Sequence, residues 1–218
     1  SESMRVYRVT PKAETPVNAY AYPALTPRGT GVHEVQSLPE ADKALDQIRQ
    51  SLIAQYGGEY DYEEFTARIA VPEGMTGYLN DENAQGDNRD TDEDFVGVYG
   101  VNHVAAGKAT YANTVLYARP RLNGIVSLYD SMYGDSAAEY LPGADSSKYY
   151  VLKMARTALD SHTAVIPYST DNPNGRFYGA DNGTQLLIAY RAYVEPETGV
   201  GPSYYEIVYD RAIVFHKK

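Results

Sequence analysis

Cysteine is absent, so disulfides, thiol nucleophiles, iron–sulfur clusters and zinc–thiolate sites are excluded. Tryptophan is absent as well, and phenylalanine is scarce at 4 residues in 218. The missing indoles weigh against a sugar-binding surface built on large flat rings. No apolar run approaches the roughly 18 residues that would cross a bilayer as a helix. Basic residues are in the minority, 19 against 29 acidic ones, leaving a formal charge of -10. Such a field repels nucleic acid and anionic lipid, and favours cations or basic partners. Two catalytic signatures are also missing: no Gly-x-Ser-x-Gly elbow and no phosphate-cradling glycine loop occurs. The opening Ser1-Glu2-Ser3, without an initiator Met, suits a chain freed of a leader and sets the expectation of an extracellular or periplasmic protein.

What the chain has in excess is tyrosine, 22 residues. Phenol rings suit half-buried strand faces, where the ring packs and the hydroxyl stays wet. They predict a β-rich fold whose water-facing side carries many rings, and such a surface can hold a glycan, another protein or a second copy of the chain. At 43% apolar content and 218 residues the chain reads as one domain over 1–218.

Within it, Met4 to Thr10 reads as a short strand. A segment follows with Pro11, Pro16, Pro23 and Pro27, closing at Gly29 and Gly31, so residues 1–31 are expected to form an extended proline-rich arm. One helix is sharply marked. Ser37 and Glu40 have capping-box spacing, Pro39 fits the first turn, and Leu38, Ala41, Leu45, Ile48, Leu52 and Tyr56 recur on one face until Gly57-Gly58. The spacing predicts an amphipathic helix over about 38–56.

After Gly58 the period changes to two. Phe65, Ala67, Ile69 and Val71 alternate with Glu64, Thr66, Arg68 and Ala70. Further strands are expected at Phe95–Val101, Lys108–Ala118, Ile125–Tyr129, Tyr149–Ala155, Thr163–Tyr168, Gln185–Val194 and Tyr205–Phe215. Turns are expected at the pairs Asn123-Gly124, Asn174-Gly175 and Asn182-Gly183. Helices do not alternate with these strands. The expected fold is therefore mainly β (α+β): an antiparallel sandwich or barrel with the single helix packed on it.

Two constellations bear on chemistry. Between Asn80 and Asp94 seven carboxylates face Arg89 alone, a local charge of -6. Asp81, Asn83, Gln85, Gly86, Asp87 and Asp92 fall at the ligand and turn positions of a calcium loop, so Asp81, Asn83, Gln85, Asp87 and Asp92 form a candidate Ca2+ site. Gln85, the short closing carboxylate of Asp92 and Asn88 in place of an apolar anchor depart from that pattern; a solvated acidic loop is the competing expectation. The second constellation centres on His103, in Gly100-Val101-Asn102-His103-Val104 ahead of Gly107-Lys108. As a general base it could combine with Tyr111 and Arg119 in a polysaccharide-cleaving site; as a structural residue it needs only a hydrogen-bond partner.

Two function classes result. The first is a secreted or surface-exposed binding and structural protein, a homo-oligomer assembled through the N-terminal arm and the tyrosine-rich strands. The alternative is an extracellular polysaccharide-active enzyme with a structural calcium.

Overall fold

The computed structural model of the chain describes residues 7–10, 12–13, 29–66, 91–118, 122–142, 145–169 and 179–218. Among the described residues, eight strands lie in two sheets: β1 (Tyr60–Thr66), β2 (Phe95–Val101), β3 (Tyr111–Ala118), β4 (Asn123–Tyr129), β5 (Tyr149–Ala155), β6 (Thr163–Val165), β7 (Leu186–Tyr193) and β8 (Arg211–Lys217). The larger sheet runs β1-β8-β2-β5-β6 and the smaller β4-β3-β7. Pairing is antiparallel except between β5 and the three-residue β6, where Lys153 faces Thr163 in parallel register. The fold is mainly β with one long helix, α1 (Ala41–Tyr56), and a single turn, α2 (Asp130–Tyr133).

The order of layers is helix, five-stranded sheet, three-stranded sheet. Along β2, Phe95, Tyr99 and Val101 face α1, while Val96 and Val98 face the small sheet. β5 divides likewise: Tyr149, Val151 and Ala155 toward the helix, Tyr150, Leu152 and Met154 toward the small sheet. Every residue of β2 and β5 is therefore buried. That explains why these two strands read as nearly continuous apolar runs rather than as alternating ones. The stripe Ala41, Ala44, Leu45, Ile48 and Leu52 closes the helix side over Phe95, Ile213 and Phe215, with the two phenylalanine rings stacked 4.7 Å apart. Salt links fix the helix from outside: Arg211 donates to Asp46 at 2.8 Å and to Asp42 at 3.0 Å.

Several local expectations change. Leu38 packs in the core as foreseen, but the helix begins at Ala41, after a 3-10 turn over Glu34–Gln36. The Ser37 hydroxyl donates to the Glu34 carbonyl at 2.9 Å instead of capping α1. Tyr7–Thr10 carries no strand and lies exposed. β1 begins at Tyr60 and its described part ends at Thr66, so Ala67, Ile69 and Val71 lie outside the described residues, as does the Asn174-Gly175 pair. Asn123-Gly124 opens β4 rather than forming the turn, which falls earlier with Leu122 at φ 50°; Asn182-Gly183 does turn, with Gly183 at φ 78°. The final strand starts six residues later than expected, at Arg211.

The tyrosines divide. Tyr99, Tyr133, Tyr140, Tyr149, Tyr150 and Tyr190 are buried, against the expectation of water-facing rings, while Tyr62, Tyr111, Tyr129, Tyr193 and Tyr205 are exposed. Lys153 sits on the helix-facing side of β5 at 1% exposure. It is paired with Asp160 and covered by the Tyr140 and Tyr56 rings. No helix among the described residues is long and apolar enough to cross a membrane.

Candidate functional site

The outer face of the small sheet is the most distinctive surface. Period-two geometry turns Tyr111, Asn113, Val115 and Tyr117 of β3 outward and sends Ala112, Thr114, Leu116 and Ala118 inward. Register places Tyr193 of β7 opposite Tyr111, and both Arg191 and Tyr129 opposite Asn113. The Tyr111 ring lies 5.4 Å from that of Tyr193 and 6.5 Å from that of Tyr129, so three rings cross the sheet as one row. They are 38%, 36% and 42% exposed in turn. Beside them Asn113 Nδ2 donates to the Tyr111 hydroxyl at 3.2 Å. Arg191 donates to the Tyr117 hydroxyl at 2.7 Å and lies 5.5 Å from that ring. Strands β3, β4 and β7 together hold one charged residue, Arg191, and no carboxylate. In a chain with a net charge of -10 that is a marked local exception.

A second assembly is buried at the end of the layers. β2 stops at Val101, and Asn102 Oδ1 accepts from the Val104 and Ala105 N–H groups at 3.2 Å, turning the chain. The turn delivers His103 inward, where Nδ1 lies 2.9 and 3.0 Å from the two oxygens of Glu34. Glu34 also accepts from the Val208 N–H at 2.9 Å. Burial alone would depress the imidazole, but the charge and hydrogen bond of Glu34 overcome this and hold His103 up at about 9. Conversely, burial would raise Glu34, yet His103 and the Val208 N–H keep it below the ordinary carboxylate range. Asp210 completes this group. It is pushed up to about 6, chiefly by burial, although His103 and the Tyr150 hydroxyl at 2.6 Å both oppose the shift. Gly100 makes room for it, since a Cβ there would lie 2.2 Å from Asp210 Oδ1.

Five residues beyond His103, Lys108 donates at 2.6 Å to both Glu195 and Glu206, and at 2.7 Å to the Val32 carbonyl. Glu195 also accepts from the Thr30 hydroxyl, and Glu206 from the Gly31 N–H. A cleft of about 180 Å³ opens beside this cluster, lined in part by Thr30, His33, Ser37, Lys108 and Glu197. Glu195 reaches Lys108 because the backbone bends sharply just before it. Val194 is held at φ 42°, a conformation costly for a β-branched side chain. Replacing Val194 with glycine is expected to relieve more strain than the added chain entropy costs. The net gain of about 1 kcal/mol is readable as a rise in Tm of roughly 2–4 °C.

The residues singled out from sequence are dispersed. His103 is buried against Glu34, Tyr111 lies on the water-facing side of β3, and Arg119 lies outside the described residues. Of the candidate calcium ligands, Asp81, Asn83, Gln85 and Asp87 also lie outside them. Asp92 is described: it accepts from the Tyr168 hydroxyl and, at 3.0 Å, from the Asn182 amide, next to the Arg156 guanidinium stacked on Tyr168 at 3.9 Å. Among the described residues, no cluster of three or more His, Asp or Glu side chains is arranged to hold a metal ion. Sequence reasoning missed Glu34, Lys108, Glu195, Glu206 and Asp210. The only available signal was the presence of charged residues inside otherwise apolar or turn-forming stretches. Comparison with family models, with curated proteins and with solved structures gave no match, so the site is read from its geometry alone.

Proposed function

We propose that the protein is a binding and assembly protein, exported or surface-exposed, that associates with a second copy of itself through the outer face of β4-β3-β7. The observation that carries this reading is the carboxylate-free row of Tyr111, Tyr129 and Tyr193, with Arg191 and Tyr117 alongside. Interface centres are enriched in tyrosine and arginine and depleted in lysine and carboxylates, as this face is. Two such faces can stack as sheets do in a sandwich, in a two-fold arrangement that puts the same patch on both sides. The net charge of -10 keeps copies apart elsewhere, whereas on this face they approach without confronting a carboxylate of the three strands.

The polysaccharide-active reading finds less support. Its base, His103, is engaged by Glu34 and closed to solvent, and Tyr111 lies on the opposite, water-facing side of its strand.

Sedimentation velocity over a wide concentration range tests the proposal. Dimer is expected to grow with protein concentration and with added salt, which screens the net charge. Replacing Tyr111 and Tyr193 together by glutamate is expected to weaken association about 30-fold or more, the equivalent of roughly 2 kcal/mol. Tyr205→Ser, on an exposed ring elsewhere, should leave it intact. A particle that stays monomeric throughout overturns the reading. So does a monomer retained on an insoluble glycan in a Tyr111-dependent way, which would make the occupant a sugar chain.

A further inference from the structure

Behind the tyrosine row, three more tyrosines converge on one buried carboxyl. Tyr150 donates to Asp210. Tyr133 stacks on Tyr150 at 4.3 Å, and its hydroxyl pairs with Thr114 Oγ1 at 3.1 Å. Tyr190 brings a third hydroxyl, deeply buried, which has no hydrogen-bond partner among the described residues. Tyr190 lines a cavity of about 10 Å³ between the sheets, together with His103, Thr114, Tyr133, Tyr150 and Asp210.

A buried hydroxyl left unmatched is costly, and native interiors satisfy nearly all such atoms. A volume of that size is close to the lower limit for one water, and the lining supplies several polar partners, as a buried water requires. The neighbouring charges are of both signs, His103 against Asp210, so the site suits a neutral dipole better than an ion.

We propose that this cavity is a built hydration site holding a single water, which links the Tyr190 hydroxyl and the Asp210 carboxyl. The site is independent of self-association, since it lies on the inner side of β3 and β7. It also accounts for why tyrosine, not phenylalanine, occupies position 190 in an apolar layer formed with Leu116, Ile188 and Leu152.

Tyr190→Phe discriminates, because it removes one oxygen and little else. If the water is present, the variant loses a hydrogen bond and Tm falls by roughly 2–4 °C. In a dry cavity the same change removes an unmatched hydroxyl, and Tm stays level or rises, which overturns the proposal. A crystal structure of the wild type should show a solvent peak within hydrogen-bond distance of the Tyr190 hydroxyl, absent from Tyr190→Phe; a wild-type map without it also overturns the proposal. A small cation is the other candidate occupant. A Tm that rises in sodium, potassium or ammonium chloride relative to choline chloride at equal ionic strength, and not in Tyr190→Phe, would replace water by that ion.

Discussion

Replacing Lys108 with alanine is expected to lower the free energy of unfolding by about 3–5 kcal/mol, because it strands two buried carboxylates. The ammonium group stands at 2.6 Å from Glu195 and from Glu206, and both glutamates are themselves buried. Their partners hold the surrounding chain. Glu206 accepts from the Gly31 N–H and Glu195 from the Thr30 hydroxyl, while Lys108 also donates to the Val32 carbonyl. One cation therefore ties residues 30–32, the turn after β2 and the segments around Glu195 and Glu206 into a single unit. Gly29 belongs to it too, since a Cβ there would lie 2.5 Å from a Glu206 oxygen, at a φ of +125° that disfavours any other residue. Removing the charge leaves Glu195, now held below the ordinary range by Lys108 after burial is overcome, without its stabilising partner.

The loss should shrink as pH falls, because protonated glutamates no longer need a counter-charge. Combining Lys108→Ala with Glu195→Gln and Glu206→Gln should recover part of it at neutral pH. Lys148→Ala is the control: that side chain pairs with Asp145 at 3.3 Å on the surface, and its removal should cost under about 0.5 kcal/mol. Urea unfolding of the four proteins provides the measurement. A Lys108→Ala variant as stable as the Lys148 control would show the cluster to be energetically neutral.

Much of the scaffold was legible because short-range patterns report it directly. The stripe from Ala41 to Leu52 has helical spacing and no competing period, and β2 and β5 run between clear turn signals, so their bounds match. Legibility failed where a long-range contact decided the outcome. The three-layer order was not visible, since an apolar run such as Tyr149–Ala155 says that both faces are covered but not by what. Ser37 has the spacing of a cap, yet the preceding Glu34 turns inward to meet His103, sixty-nine positions away, and the 3-10 turn that results captures the hydroxyl.

β8 was extended too far for the same reason. Ile207 and Tyr209 continue the period of two, but Glu206 and Asp210 are drawn into the two buried charge clusters and pull that segment off the ladder. The buried tyrosines follow this logic. Tyr150 looks amphipathic from sequence, and only the approach of Asp210, sixty positions on, makes an interior phenol cheap. Of the candidate sites, the sequence could point to His103 as unusual, while its partner lay too far along the chain to be inferred.

The buried acid–base group makes the pH dependence of stability its second large expected effect. Asp210, facing His103, Glu34 and the hydroxyls of Tyr133, Tyr150 and Tyr190, has its folded value raised from 3.8 to about 6. The native state therefore holds this proton more tightly than the unfolded chain, so stability is lost as pH rises from about 4 to about 6, by roughly 3 kcal/mol at most. His103, facing Glu34 and Asp210, is raised from 6.5 to about 9. Its contribution is complete below 6.5 and disappears as pH rises through 9, again by about 3 kcal/mol.

Glu34 works in the opposite sense. Held below 4.5, it stabilises the fold above that value and loses this contribution on further acidification. These signs together place the stability maximum in acidic solution, near pH 4, where the opposing slopes of Glu34 and Asp210 balance, and make the protein markedly weaker at pH 9.5. Denaturant midpoints measured from pH 3 to 10 check this. Asp210→Asn should flatten the limb between 4 and 6, and His103→Gln the limb between 6.5 and 9, each leaving the other limb in place. A wild-type profile level from 5 to 9.5 would mean that neither group holds its proton more tightly in the fold than in the unfolded chain. The hydrogen bonds at 2.9 Å to Glu34 and 2.6 Å from Tyr150 would then have to be energetically idle.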